Sequence, residues 1–182
     1  MAKAGYHVVM PDLFAGDAIP VDAMGSPGFN MTAWRGKHSV ASVDAIVEST
    51  IKYMRGELGF KKIGAVGYCF GGKYVGRFLN ARKGLDAGFT AHPSGLETAE
   101  LQAISAPISF AYAETDAANP PAKRREAEDI LMRKNATYQT SLYAGAEHGF
   151  AVRTNLTDPK KAFAQESAYF QAIRWFDAWL KS

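Results

Sequence analysis

The sequence predicts an α/β protein, a mostly parallel sheet with helices on its faces, and three observations carry that prediction. Short apolar, β-branched or aromatic runs alternate with longer segments of helical period. Those longer segments place their apolar residues three and four apart, on one face. Capping residues and prolines stand where the segments would open as helices.

Five runs read as strands: residues 6–10, 63–68, 87–91, 108–113 and 138–143. Between the first two, Val40, Val43, Val47, Ile51 and Met54 define a helix face, with Ser39 as its cap. After the fourth run, Asn119-Pro120 combines a capping side chain with a proline suited to a first turn and opens a helix that carries Ala127, Ile130 and Leu131 inward. Asp158-Pro159 repeats the device before a terminal helix whose apolar face is Phe163, Phe170, Ile173, Phe176 and Leu180. Residues 11–38 are the irregular stretch, rich in Gly, Pro and Asp, with Phe29 and Trp34 embedded. A loop of that kind either forms part of a ligand site or is a surface excursion.

At 182 residues, with 47% hydrophobic and 12% aromatic content, the chain suits a single compact domain spanning 1–182. The 21 Lys+Arg against 18 Asp+Glu are mixed along the chain, which excludes a nucleic-acid footprint. The one basic run, Lys123-Arg124-Arg125, is followed by Glu126, Glu128 and Asp129 and reads as the solvated face of a helix. A single cysteine rules out an internal disulfide and any multi-thiolate metal site. It suits a reducing compartment, and a cytoplasmic location is expected. No apolar run approaches the roughly 20 residues of a membrane span. Neither a cofactor nor a metal is called for, and oligomeric state is not legible.

The chemistry concentrates at Gly67-Tyr68-Cys69-Phe70-Gly71-Gly72, which follows a strand and precedes the helical residues 73–80. It matches the Gly-x-nucleophile-x-Gly elbow with cysteine in place of serine. Glycines flank the nucleophile because the tight turn leaves no room for β-carbons. The turn points the Phe70 amide at a developing oxyanion, and the positive end of the helix favours thiolate over thiol. A small buried hydrophobe is the competing reading of Cys69.

A nucleophile of this kind needs a carboxylate and then a histidine, each leaving the end of a later strand. Asp116 and His148 meet both conditions, with Asp116 orienting the imidazole and His148 moving the proton. Glu114 is a competing acid, and Glu147 reads as a neighbour. His92 either lines the pocket or makes a structural hydrogen bond, and Tyr68, beside the nucleophile, is a candidate substrate contact. Residues 67–74 also approach a phosphate-binding loop, but Tyr74 stands where that motif requires Ser or Thr.

At these residues the sequence resembles the fungal branch of the dienelactone hydrolase family, over blocks 5–17, 64–73, 87–94 and 147–153. The elbow cysteine followed by His148-Gly149-Phe150 is the specific part of the likeness. The resemblance implies the α/β-hydrolase fold, three-layered with a mostly parallel sheet, and hydrolysis of a small ester or enol-lactone through a cysteine acyl-enzyme. It also implies an arginine for the substrate carboxylate. Arg153 is the local candidate, with a surface or structural role as its alternative.

The same resemblance implies about five strands, N-terminally truncated relative to the family, with residues 5–10 corresponding to its fourth strand. The family's third strand, beside the nucleophile strand, and a loop that supplies a second oxyanion donor would then be missing. A catalytically impaired or non-catalytic small-molecule or partner-binding protein is therefore the alternative to an active hydrolase.

Overall fold

A computed structural model describes residues 1–20, 23 and 26–181. The chain resolves into two compact units, residues 1–60 and 61–182. The first holds a 3-10 turn at Ala2–Ala4 and two helices, α1 (Met31–Lys37) and α2 (Val40–Gly56). Ser39 caps α2 as expected, its hydroxyl accepting from the Ser42 amide. Val43 and Ile51 are the buried members of the anticipated face, whereas Val40 is 40% exposed. The irregular stretch 11–38 contains α1, which was not anticipated, and residues 21, 22, 24 and 25 of that stretch lie outside the described residues. An Asx-type turn precedes it, Asp12 accepting from the Phe14 and Gly16 amides.

Residues 6–10 do not form the expected strand. They run without ladder hydrogen bonds, and Met10 is 91% exposed. The physical reason is that apolar, β-branched composition does not make a strand; a partner does, and no strand occurs among the described residues of 1–60.

The second unit is built as β1 (Gly64–Tyr68), α3 (Phe70–Phe78), β2 (Ala87–Ala91), α4 (Thr98–Ala103), β3 (Ile108–Thr115), α5 (Pro121–Arg133), β4 (Tyr138–Glu147) and α6 (Pro159–Leu180). The four strands pair in parallel in the order β1-β2-β3-β4, so β1 is an edge of the sheet. Gly64 faces Phe176 and Leu180 of α6, while Gly67 and Gly88 face Val75 and Leu79 around α3. Helices α3 and α6 therefore cover opposite faces, giving the three layers, and α4 and α5 continue the α3 layer. Between the layers lie Phe78, Leu79, Phe89, Ile108 and Phe110, each at most 1% exposed. Every such side chain stabilises the fold by about 1.5–3 kcal/mol relative to exposure.

The terminal helix buries a different stripe from the one its large apolar residues suggest. Ala164, Ala168, Ala172, Trp175 and Phe176 face the sheet, whereas Phe163 and Phe170 are 66% and 56% exposed. Close helix-to-sheet approach selects the small residues, which the bulk of the phenylalanines would prevent. In α5, Ala127 and Leu131 are buried as expected, with Ile130 half-buried. The helix begins at Pro121 behind Pro120, and the Asn119 side chain makes no cap. Arg124 is half-buried as well, donating to the Ala113 and Asn119 carbonyls.

The glycine at the end of β1 has no spare space. A β-carbon on Gly67 would stand 2.5 Å from the Gly71 carbonyl oxygen and 2.6 Å from Val75 Cγ2. Backbone cannot yield as a side-chain tip can, so Gly67→Ala is expected to cost at least about 2 kcal/mol. Urea unfolding measures this; an unchanged midpoint would show that the turn tolerates the methyl group.

Candidate active site

Each strand of the sheet ends immediately before a residue with chemical capacity. Tyr68 closes β1 and Cys69 follows; Ala91 closes β2 and His92 follows; Thr115 closes β3 and Asp116 follows; Glu147 closes β4 and His148 follows. Parallel pairing puts all four carboxyl ends on one edge, as Tyr68 aligns with Ala91 and Ala91 with Ala111.

The last alignment needs an irregularity. Ala113 pairs with Tyr143, but the next pair is Thr115 with Glu147, so β4 spends four residues where β3 spends two. Gly145, at φ 74, accommodates the excursion, and its amide donates to Glu114. Glu114 is thereby committed to the loop. The shift sets His148 beside Asp116, with the His148 amide donating to the Thr115 carbonyl at 3.2 Å.

Cys69 sits at φ 48, ψ −114, a conformation a β-carbon makes costly, of order 1–3 kcal/mol. Its amide donates to the Ala91 carbonyl, and its carbonyl accepts from Gly72 and Ser94. These bonds hold the strained residue at the point where β1 turns into α3. Phe70 is the first residue of α3, and its backbone amide hydrogen-bonds the Cys69 sulfur and helps to lower the thiol pKa.

Cys69 Sγ lies 3.1 Å from His148 Nε2, and His148 Nδ1 lies 2.8 Å from Asp116 Oδ1. The Asp116 side chain is 0% exposed. Its carboxylate accepts from the Ala118 amide at 2.8 Å and from Asn119 Nδ2 at 3.0 Å. Asn119, which the sequence offers as a helix cap, is instead recruited to this carboxylate, and its amide also donates to the Pro93 carbonyl.

Burial raises the Cys69 thiol pKa, but hydrogen bonds with Ser94 and His148 and the imidazolium charge outweigh it, leaving the thiol below 9.0. Burial likewise works against a charged His148, yet hydrogen bonds to Cys69 and Asp116 and the carboxylate's charge carry it above 6.5. The two shifts favour the same state, a thiolate beside an imidazolium.

His92 directly follows β2. The residue is 0% exposed, and neither ring nitrogen has a hydrogen-bond partner among the described residues. Its ring stands edge-on to His148, centroids 5.0 Å apart, and edge-on to Phe150 at 5.6 Å. His92 thereby packs against the His148 ring. Burial, then repulsion from His148, pushes its pKa down to about 4.

Tyr68 is half-buried, its ring 6.1 Å from that of His92, and burial raises its phenol pKa. Arg153 is exposed, and a β-carbon on Gly149 would stand 3.0 Å from its Nε. Glu147 pairs outward with Lys161 at 2.9 Å. Lys73, which a phosphate loop would keep on its ligand, is directed instead at the Gly95 carbonyl, Glu97 and Glu100. Ser94 escaped the sequence reading although its Oγ lies 3.4 Å from Cys69 Sγ. A serine three residues beyond a strand carries no local signal of that placement. Among the described residues no group of three His, Cys, Asp or Glu could hold a metal, and no helix is long and apolar enough to cross a membrane.

The family profile described as "Dienelactone hydrolase family" matches residues 1–180. Hydrolase pyvD of Aspergillus violaceofuscus is 46% identical over 180 residues, covering 99% of this chain and 72% of that protein. Hydrolase tropI of Talaromyces stipitatus is 45% identical, covering 99% of this chain and 73% of its own length. Among solved structures, a dienelactone hydrolase from Anabaena variabilis superposes with a TM-score of 0.60 at 14% identity. The match covers 83% of this chain and 69% of that one, and shows a shared fold.

The neutral, buried His92 has a consequence for acid stability. The unfolded chain takes up a proton near 6.5 that the folded chain refuses until about 4, so in that window the unfolded state binds more protons. Stability supplied by this site is therefore present above 6.5 and lost as pH falls towards about 4. His92→Phe is expected to flatten the pH dependence of unfolding free energy across that window. An equal slope in variant and wild type would show that His92 is not the group responsible.

Proposed function

Because the chain belongs to the dienelactone hydrolase family, we propose that it hydrolyses a small carboxylic ester or enol-lactone through a cysteine acyl-enzyme. Cys69 is the nucleophile, His148 the proton carrier and Asp116 the acid that orients it. The observation that supports this most directly is the short relay from Sγ to Nε2 at 3.1 Å and from Nδ1 to Oδ1 at 2.8 Å.

In this reading the Cys69 thiolate attacks the carbonyl carbon, a carbon–sulfur bond forms, and the carbonyl electrons move to oxygen. The Phe70 amide donates to that oxyanion. Collapse breaks the carbon–oxygen bond of the ester, and the leaving alkoxide or enolate takes the proton from His148 Nε2. For a lactone the departing oxygen remains on the same molecule. Water then attacks the thioester while His148 takes its proton, and expulsion of the sulfur returns the thiolate and frees the carboxylic acid product.

Asp116 keeps Nδ1 protonated and Nε2 aimed at sulfur throughout, and Asn119 with the Ala118 amide keeps that carboxylate fixed. Arg153 is the candidate for a carboxylate on the substrate, being exposed and within electrostatic reach of His92, which itself packs against His148. Tyr68, next to the nucleophile, is the candidate for the substrate's other face. No cofactor enters any step, and the partner is a small-molecule ester or lactone.

An activated aryl ester should acylate the chain at its single cysteine and leave a thioester visible as a mass increase. Cys69→Ala is expected to abolish the adduct and to lower turnover by about 10³-fold or more. Retained turnover in Cys69→Ala would remove the cysteine mechanism.

The rate should also be bell-shaped in pH. Its acid limb, set by the Cys69 thiol, falls below 9.0, and its alkaline limb, set by loss of the His148 proton, lies above 6.5. His148→Gln is expected to return thiol ionisation towards 9.0. A profile indifferent to that substitution would contradict the proposed pairing.

A further inference from the structure

Ser94 occupies the turn between β2 and α4, a segment the relay of Cys69, His148 and Asp116 does not use. Its Oγ lies 3.4 Å from Cys69 Sγ and 3.5 Å from His148 Nε2. With the 3.1 Å sulfur–nitrogen contact, the three atoms close a triangle. A hydroxyl in that position touches both atoms between which the reactive proton moves.

The turn is clamped so that the hydroxyl stays there. His92, at φ 39, bends the chain out of β2, a strained conformation for a residue with a β-carbon. The Ser94 amide donates to the Cys69 carbonyl at 2.8 Å, tying the serine to the elbow itself. Before Ser94, the Pro93 carbonyl accepts from Asn119 Nδ2, the same group that holds Asp116. After it, the Gly95 carbonyl accepts from Lys73 Nζ at 2.8 Å.

Lys73 is a heavily anchored residue. Its side chain is 9% exposed, and its ammonium also donates to Glu97 at 2.8 Å and Glu100 at 3.0 Å. Arg77 meets the same Glu100 at 3.0 Å, and Glu97 and Glu100 form the capping box of α4. Burying an ammonium is costly unless its partners are fixed, so this network makes the turn stiff. The stiffness converges on Ser94, whose side chain meets the sulfur.

We propose that Ser94 is a further catalytic residue, whose hydroxyl donates to the Cys69 sulfur and stabilises the thiolate of the thiolate–imidazolium pair. This rests on the reading of Cys69 as nucleophile. The role needs no movement of the heavy atom. When sulfur becomes a thioester and loses its charge the hydroxyl no longer donates to an anion, and it does so again when the thiolate is expelled. The other titratable groups against this pair are Asp116, hydrogen-bonded to His148, and the neutral His92, whose ring packs on that of His148.

The chain has one cysteine, so the rate of alkylation by iodoacetamide reads a single thiol. The pH dependence of that rate in the full chain is expected to show an ionisation midpoint below 9.0 in wild type. Ser94→Ala should slow alkylation at pH 7 by about tenfold, the scale of one charge-assisted hydrogen bond, with the rates converging at high pH. Ser94→Thr, which keeps the hydroxyl, should retain the wild-type profile, and Ser94→Val, near-isosteric with the threonine variant, should resemble Ser94→Ala. This second pair preserves the test if the alanine variant unfolds. Coincident profiles for Ser94→Ala and wild type, or for Ser94→Val and Ser94→Thr, would overturn the role of the serine. A wild-type midpoint at 9.0 that His148→Gln leaves unmoved would instead overturn the nucleophile reading on which it rests.

Discussion

The site depends on one backbone constraint, the strained turn at Cys69 held at φ 48, ψ −114. A relaxed residue there would let β1 continue or α3 begin a residue later, and either would carry the sulfur away from the imidazole. The strain persists because the surroundings over-determine it. Gly67 admits the close Gly71 backbone, and a β-carbon on Gly72 would stand 2.3 Å from the Thr90 hydroxyl. The amide and carbonyl of Cys69 are both held by the segment around β2.

Around that turn the sheet acts as an alignment device. Four parallel strands end on one edge, and the residue after each is drawn to the same place, so the precision of the site is the precision of ladder pairing. The one correction to regular pairing, the bulge opposite Thr115, brings the imidazole to the carboxylate. Asn119 and Lys73 extend the same logic to the loops. Each fixes a carbonyl of the 93–95 turn, and Asn119 fixes Asp116 as well, so loops that would otherwise be mobile share the rigidity of the core.

Electrostatics at the edge follow from what is buried beside what. Burial alone would leave Cys69 protonated and His148 neutral, and the fold supplies the hydrogen bonds that reverse both tendencies. His92 shows the opposite outcome: burial and the neighbouring His148 charge keep it neutral, and its ring packs against that of His148.

Several features were legible in the sequence because they rest on local chemistry. The elbow glycines, the order Cys69, Asp116, His148, the caps Ser39 and Asp158, and four of the five strands follow from periodicity and residue type, which act over a few neighbouring residues. Other features were decided only by contacts between distant segments. Residues 6–10 have strand composition but form no strand among the described residues. Asn119 has cap chemistry, yet a buried carboxylate three residues back competes for it and wins. Phe163 and Phe170 have the bulk of core residues, but α6 approaches the sheet through its alanines. Ser94 became a neighbour of the sulfur only when β2 was paired beside β1. Composition and spacing determine which groups a segment can offer; tertiary structure decides which of them are used, because pairing, burial and competition for hydrogen bonds are properties of two segments at once.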